Sequence, residues 1–286
     1  MTDAPAISVV IPVRNGMPWL EEQLRAVLDQ QCEETWEVVV SNNGSTDESA
    51  RLVEELIAQG RPIRLVDASA VRGPGATRNV GVKAAKGELL AFCDADDVVQ
   101  AGWLQACVRA LLQADATGGL TDYWSLNDVQ APDPPVPQIP PAQAQFGFLD
   151  AAMSSNLAVR REVFDQLNGF DEGLMVGEDT DLCWRIQLSG YRFSVSDAVV
   201  ARRERAAVRD VFRRYVAYGR CGPVLYRRHR SSGLRSEPRA ALRAWAWLLL
   251  SLPRLRRSEF RVKWVEIAGW RSGRLIESAK QGVFFP

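Results

Sequence analysis

The sequence has a single histidine, His229, and five cysteines that show no paired spacing. It therefore lacks the histidine and cysteine ligands of a zinc site and the paired cysteines of a disulfide framework. Cys93 and Cys107 lie in apolar surroundings, which indicates reduced thiols and a cytoplasmic protein. His229 stands among arginines in the segment 227–230, a setting more typical of a solvated surface residue than of a metal ligand.

Long apolar runs and a leader segment are also missing. The apolar stretch at residues 245–252 is too short to span a bilayer, which takes about 20 residues. No basic segment precedes the first apolar run, so we expect no signal peptide. With 47% apolar and 24% charged residues, the composition is that of an ordinary globular protein.

The net charge is zero, but the two signs are unevenly distributed along the chain. Residues 1–200 contain 14 lysines and arginines against 29 acidic residues, whereas residues 201–286 contain 21 against 6. An acidic body with a basic C-terminal region indicates that the basic region either binds an anionic partner or docks on the body. We expect no nucleic acid among the partners.

Apolar runs alternate with amphipathic segments over the first hundred residues. The run Ile7–Val13 predicts a strand buried on both faces, and further strands are predicted at residues 36–40, 63–66 and 87–93, with helices between them. This alternation predicts an α/β fold with an open, mostly parallel nucleotide-binding sheet flanked by helices. Ligands of such sheets bind beyond the carboxyl ends of the strands.

The rest of the chain is predicted to complete this domain and to add a second region. Residues 128–145 are rich in proline and predict an exposed, mobile loop. We expect a nucleotide-binding domain over residues 1–203 and a basic, helical region over residues 204–286. Further predicted elements are strands at residues 118–124, 155–160 and 191–200, and helices at residues 103–114, from Glu178 onwards, and at residues 212–225.

Three carboxylates follow the predicted strand at residues 87–93, namely Asp94, Asp96 and Asp97. Carboxylates near a core are costly to desolvate, and a bound Mg²⁺ or Mn²⁺ would account for them. Alternatively, Asp96 or Asp97 caps the helix that begins near Trp103. The motif alone leaves both interpretations open.

Four segments, in this order, resemble the family 2 glycosyltransferases of the GT-A fold. They are residues 8–15, 42–47, 76–81 with 87–97, and 178–185. The resemblance covers about residues 6–200, and four motifs in order are far more specific than any one of them. It implies an inverting transferase that moves a hexose-like sugar from a nucleotide-diphosphate donor to an acceptor hydroxyl.

The resemblance also implies a role for individual residues. Asp179 would be the base that removes the acceptor proton, with Glu178 beside it, and the dipole of the helix would favour the ionised form. Asp96 and Asp94 would hold a divalent cation, Mn²⁺ or Mg²⁺, at the leaving diphosphate. The residues implied to contact the donor are Pro12, Arg14, Asn42, Gly44, Asp47, Arg78, Asp94 and Ala95.

Simpler interpretations compete at four of these positions. Without the other motifs, Glu178 and Asp179 would be an acid-rich helix N-terminus. Arg78 is predicted to pair with the diphosphate or with Asp94, and the alternative is an exposed helix residue. Asn42 stands where relatives carry an acid that binds the pyrimidine, and the alternative is a turn residue. We expect a UDP or dTDP sugar rather than a GDP sugar.

A second departure concerns the metal. Many relatives supply a histidine ligand after the strand that follows the base helix, but residues 199–203 here contain Arg202 and Arg203 instead. Either two carboxylates and the phosphates hold the cation, or one of these arginines neutralises the diphosphate. Other hypotheses are a non-catalytic nucleotide-sugar-binding protein and a sugar-phosphate nucleotidyltransferase, although the latter's glycine-rich loop is missing after the first strand.

The basic region suggests where the acceptor is found. Residues 238–274 combine four tryptophans with many arginines, a pattern that fits an interfacial helix at the anionic inner face of a membrane. It fits equally a helix packed over the catalytic domain. The acceptor itself, whether a glycan, a lipid-linked sugar or a small molecule, is not encoded in any motif.

Overall fold

The computed structural model describes residues 4–127, 146–204, 208–256 and 258–286. The predicted proline-rich loop at residues 128–145 lies outside the described residues. The chain divides into two compact units, the first comprising Met1–Gln145 and Leu149–Glu204, the second Phe146–Phe148 and Arg205–Pro286.

The strands of the first unit form one sheet of eight strands. In chain order they are β1 (Ile7–Val13), β2 (Trp36–Asn42), β3 (Ile63–Asp67), β4 (Leu89–Phe92), β5 (Val98–Val99), β6 (Ala116–Asp122), β7 (Leu157–Arg160) and β8 (Phe193–Ala201). Their spatial order is β3-β2-β1-β4-β7-β6-β8-β5. β1 to β4 are parallel, as are β6 and β8, whereas β7 and β5 run antiparallel to their neighbours. The predicted mostly parallel sheet is therefore confirmed.

Helices cover the sheet. Those of the first unit are α1 (Trp19–Leu28), α2 (Ser49–Ala58), α3 (Pro74–Ala84), α4 (Trp103–Leu111), α5 (Arg161–Gln166) and α6 (Glu178–Leu188). A 3₁₀ turn at Ser154–Asn156 precedes β7. The sheet is buried on both faces, since Val9 and Val10 of β1 point in opposite directions and both are fully buried. Val9 belongs to the cluster formed with α1, and Val10 to a cluster around Phe92.

Two predictions for this unit are wrong in detail. Neither Asp96 nor Asp97 caps α4: the N-cap is Gly102, with φ of +80°, and β5 lies between the acidic residues and the helix. Strand β6 occupies Ala116–Asp122 rather than residues 118–124. This strand includes two glycines, which usually count against a strand. A glycine is nevertheless needed at position 119, since a Cβ there would lie 2.3 Å from the side-chain amide of Asn156.

The second unit contains three α-helices within its described residues. They are α7 (Val208–His229), α8 (Pro238–Leu250) and α9 (Ser258–Gln281). α7 and α9 approach so closely that a Cβ at Gly273 would lie 2.1 Å from the carbonyl oxygen of Val216. The predicted surface position of His229 is wrong, because this residue at the end of α7 is only 7% exposed. None of the described helices is both long enough and apolar enough to cross a membrane.

Candidate active site

The acidic residues gather where β4 ends. Oxygen atoms of Asp94, Asp96 and Asp97 all lie within 4.8 Å of one another. Asp94 and Asp96 are half-buried, whereas Asp97 is only 4% exposed. Burial, together with the charges of Asp94 and Asp96, raises the pKa of Asp97 to about 7. Three mutually repelling carboxylates form a site that a cation would stabilise.

A buried glutamine of α1 holds this acidic segment from both ends. The side chain of Gln23, which is fully buried, donates through Nε2 to the carbonyl oxygen of Asp94 at 2.8 Å. Its Oε1 accepts from the backbone N–H of Val99 at 3.0 Å. Gln23 therefore fixes the backbone that carries the carboxylates without contributing a charge.

Arg203, after β8, lies against the other side of the acidic segment. Its backbone N–H donates to Asp97 at 3.1 Å, and its Nε donates to the carbonyl oxygen of Asp96 at 3.3 Å. The guanidinium also pairs with Glu22 of α1 at 2.6 Å. The sequence suggested that Arg202 or Arg203 neutralises the diphosphate. Arg203 instead contacts other residues of the protein.

Arg78 of α3 joins the acidic cluster to the start of α6. Its guanidinium pairs with Asp94 and, at 3.2 Å, with Glu178, and the arginine is only 2% exposed. Burial alone would lower the pKa of Arg78, but Asp94, Glu178 and Asp179 together raise it above its ordinary value. The alternative of an exposed helix residue is therefore wrong, and the predicted contact with Asp94 is present.

The first turn of α6 presents two acids in different surroundings. Glu178 is 4% exposed, and burial raises its pKa to about 8, with the charge of Asp179 adding to the effect and Arg78 opposing it. Asp179 is half-buried and accepts hydrogen bonds from the backbone N–H of Ser154 at 3.1 Å and of Thr180 at 2.7 Å. Asp179 is thus the more accessible carboxylate of the two.

The loops after β1 and β2 are joined by side chains at the same edge of the sheet. Asn15, in the left-handed region with φ of +54°, donates its backbone N–H to Ser45 at 3.0 Å. Asp47 accepts from the backbone N–H of Met17 at 3.0 Å. Burial opposes ionisation of Asp47, but hydrogen bonds from Ser49 and Met17 outweigh it and lower the pKa. Asp47 therefore holds the two loops together.

The remaining residues that were expected to contact the donor lie along this edge. Asn42 ends β2, and its Oδ1 accepts from the N–H of Ser45 at 3.0 Å, as a turn residue would. Gly44 is in the left-handed region with φ of +67°. The others are Pro12, half-buried in β1, Arg14, exposed just after it, and Ala95, 8% exposed between the acids.

Comparison with known protein families decides the classification. Residues 8–167, more than half of the chain, match the family model described as "Glycosyl transferase family 2". The chain belongs to this family. The resemblance inferred from the four motifs is thereby confirmed.

Two relatives of this family 2 protein are identical to it at about a quarter of the aligned residues. The pre-mycofactocin glycosyltransferase of Mycobacterium tuberculosis is 26% identical over 264 residues, which cover 86% of this chain and 53% of the relative. Glycosyltransferase AglE of Haloferax volcanii is 25% identical over 68% of this chain and 66% of its own length. The chain thus spans about half the length of the first of these.

Solved structures show that the fold is of the GT-A type. The mannosyltransferase PcManGT of Pyrobaculum calidifontis, solved with GDP-Man and Mn²⁺, superposes with a TM-score of 0.68 at 20% identity, covering 96% of this chain and 88% of that one. TarS of S. aureus with UDP-GlcNAc gives 0.54 at 20% identity, covering 98% and 93%. The predicted fold class is confirmed.

The sequence did not reveal some residues that shape the site of this family 2 protein. Asp97 was visible as a third acid, but its place in the cluster depends on the turn after β4. Nothing in the sequence identified Gln23 as a site residue, because a glutamine on an amphipathic helix is normally expected to be exposed. Asn79, 8% exposed, donates to the carbonyl of Phe170 at 2.8 Å and accepts its N–H at 3.0 Å. Asn79 belongs to the motif at residues 76–81, but within that motif only Arg78 had been given a role.

The donor set of the acidic cluster fits a divalent cation of the Mg²⁺ or Mn²⁺ type. All three candidate ligands are carboxylates, and oxygen ligands are what these ions prefer. The two half-buried members leave room for phosphate oxygens or water to complete the coordination. A histidine is not required by such a set.

Proposed function

We propose that this chain transfers a sugar from a nucleotide-diphosphate donor to an acceptor hydroxyl, with inversion at the anomeric carbon. The observation that carries the proposal is the link through Arg78 between the acidic cluster and α6. One buried guanidinium contacts both Asp94 and Glu178, and Glu178 directly precedes Asp179 at the start of α6. The groups suited to a diphosphate and the group suited to an acceptor proton are therefore connected through Arg78.

Asp179 is the proposed base. It is half-buried at the start of α6, where the positive end of the helix dipole complements an acidic side chain. The backbone N–H groups of Ser154 and Thr180 orient it. As the acceptor hydroxyl attacks, Asp179 takes its proton, a step that contributes about 10²–10⁴-fold to the rate in other enzymes.

The proposed role of Glu178 differs from that of Asp179. Its burial and raised pKa favour the neutral form, so it is poorly suited to take a proton from the acceptor. It instead holds Arg78, and through it the position of Asp94. Asp94, Asp96 and Asp97 would hold the divalent cation, which when bound supplies Lewis-acid stabilisation of the leaving diphosphate.

The donor and location are part of the same proposal. The solved neighbours bind both GDP and UDP sugars by their descriptions, so the neighbours do not select a base. We favour a UDP or dTDP sugar, since Asn42 at the end of β2 can accept from a pyrimidine N–H with its second lone pair. The acceptor class stays open, and we place the protein in the cytoplasm, peripheral at the inner face of the membrane through residues 238–274.

The first test is a panel of nucleotide sugars with Mn²⁺, reading thermal stabilisation and then release of the nucleoside diphosphate. The variant Asp179→Asn should lose about 10²–10⁴-fold in turnover while its donor affinity in calorimetry stays unchanged. Asp165→Asn, an exposed carboxylate of α5, serves as the matched control and should retain both. Full turnover of Asp179→Asn would reject the base assignment.

A chain that binds nucleotide sugars without turnover under any condition would instead support the non-catalytic binding hypothesis. The absence of binding to every nucleotide sugar would reject the transferase proposal as a whole.

A further inference from the structure

Helix α8 of the second unit presents an exposed apolar face. Leu242, Leu249 and Leu250 are 69%, 68% and 79% exposed, and Leu252, just beyond the helix, is 47% exposed. The spacing of seven and eight residues places the three helical leucines on one side of α8. Ala241 and Leu248, on the opposite side, are 2% and 3% exposed. A contiguous exposed apolar face of this kind indicates an interaction surface.

The charged residues of α8 and of the turn that follows it are all arginines. Residues 238–256 contain four arginines and no acidic residue. Arg239 and Arg243 of α8 are exposed and lie three residues before and one residue after Leu242, which places them along one border of the face. Arg254 and Arg256 are exposed in the 3₁₀ turn Leu252–Arg256 that follows. The surface therefore suits a partner that has an apolar interior and an anionic surface.

The helix is held in place on its inner side. Trp264 of α9 donates through Nε1 to the carbonyl oxygen of Leu248 at 3.0 Å. Trp245 and Trp247 of α8 are half-buried, and such rings are suited to the boundary between an apolar and a polar phase. The exposed leucines are thus carried on a fixed element and not on a loose segment.

We propose that this face of α8, together with Leu252, docks on an anionic phospholipid bilayer with the helix axis in the plane of the interface. Leucines would enter the acyl boundary while the flanking arginines contact lipid phosphates. A second copy of the chain is a poorer occupant, because pairing the face with itself would bring arginines of like charge together. The inference rests on the proposed function and deepens it, since it assigns the membrane location given there to one face of α8, and its test needs no turnover.

The test is co-sedimentation of the full chain with vesicles of phosphatidylcholine alone and of phosphatidylcholine with phosphatidylglycerol. The full chain should pellet with the anionic vesicles. Leu249→Ser with Leu250→Ser should weaken the partition coefficient at least about tenfold, because the apolar contribution of both side chains is lost. Arg239→Gln with Arg243→Gln should weaken binding to anionic vesicles by about fivefold per arginine, with little change on neutral ones.

Matched controls come from exposed residues of the first unit. Ile57→Ser with Leu112→Ser removes side chains that are 41% and 66% exposed, and Arg25→Gln with Arg109→Gln removes two exposed charges. All variants are compared by circular dichroism, so that a misfolded variant is recognised. Both control variants should pellet like the parent.

Three outcomes would overturn the inference. The first is a parent chain that does not pellet with anionic vesicles, and the second is equal losses in the α8 variants and in the controls. The third is a dimer in analytical ultracentrifugation that only the leucine variant dissociates, which would assign the face to a second copy. Donor binding by the parent in the same preparation separates each of these results from a failure of the proposed transferase activity.

Discussion

Arg78 donates to Glu178 at 3.2 Å although the two residues are 100 positions apart in the chain. The same guanidinium pairs with Asp94, so α3 connects the end of β4 to the start of α6. A buried cation with two acidic partners is strongly interdependent, because the loss of one member leaves the others without compensation. The position of the proposed base helix therefore depends on a residue outside it.

Replacing this cation should affect stability and activity together. Arg78→Gln is expected to lower the free energy of unfolding by about 3–5 kcal/mol, since it breaks a buried ion pair. Donor binding and turnover should fall as well. Arg109→Gln, which breaks an exposed pair with Asp197 at 3.6 Å, should cost at most about 1 kcal/mol. Urea unfolding of both variants checks the difference, and equal values would contradict the buried role of Arg78.

Glu178 should make stability depend on pH. Between its ordinary pKa of 4.5 and the raised value of about 8, the folded chain keeps a proton that the unfolded chain releases. The free energy of unfolding should therefore fall as pH rises through this window, by about 1.4 kcal/mol per pH unit for this one proton. Glu178→Gln should remove that part of the slope.

Urea unfolding at several pH values measures this slope. Glu162→Gln, an exposed position of α5, is the control and should unfold with the slope of the parent. A Glu178→Gln variant with the parent's slope would show that the carboxyl is ionised at neutral pH in the folded chain.

Gln23 should act on metal affinity without being a ligand. Gln23→Leu removes both hydrogen bonds to the acidic segment, and loss of such outer contacts typically costs about 10–100-fold in metal affinity. Gln30, 7% exposed just after the end of α1, makes the equivalent bonds to the carbonyl of Gln100 and the N–H of Leu104. Gln30→Leu therefore controls for the loss of a buried amide.

Titration calorimetry with Mn²⁺ makes this comparison, and thermal unfolding gives a second reading of it. In the parent, Mn²⁺ at 100 times its dissociation constant should add about 2.7 kcal/mol to the free energy of unfolding, and a chelator should remove this gain. Equal Mn²⁺ affinities of Gln23→Leu and Gln30→Leu would reject the positioning role. A parent that Mn²⁺ does not stabilise would remove the metal from the proposal.

The contact between α7 and α9 should not tolerate an added methyl group. Gly273→Ala would place a Cβ 2.1 Å from the carbonyl oxygen of Val216, a backbone atom that cannot move without shifting α7. Overpacking of this kind costs about 1–3 kcal/mol. The neighbouring Ser272→Ala should stay within about 0.5 kcal/mol of the parent. A thermal scan of the full chain distinguishes them, and an unchanged melting temperature for Gly273→Ala would contradict the close approach.

Most of the sheet was predictable because its strands carry a strong local signal. β1 has the predicted bounds, since it consists of seven apolar or small residues in a row, six of which are buried. β6 was misplaced because the glycine at position 119 is required by the close approach of Asn156, a contact made between distant parts of the chain. Packing of this kind cannot be inferred from local sequence patterns.

Motifs in the sequence mark individual residues of the candidate site, but not most of the contacts between them. Asp94, Asp96 and Asp179 stand in motifs, whereas the joint effect of Arg78 on Asp94 and Glu178 depends on how α3 packs. His229 was assigned to the surface because its sequence neighbours are arginines. Its burial follows from its position on α7, which its neighbours in the sequence do not reveal.

The acidic segment connects two strands that are far apart in the order of the sheet. β4 is the fourth strand and β5 the eighth, and four strand spacings would cover about 19 Å in a flat sheet. Six residue steps from Phe92 to Val98 reach about 20 Å when fully extended, which leaves no length for a turn. The sheet must therefore curve to bring these strands together. The five residues between them act as a tether that limits how far the sheet can open, so an inserted residue would change the curvature of the domain and the spacing of the carboxylates together.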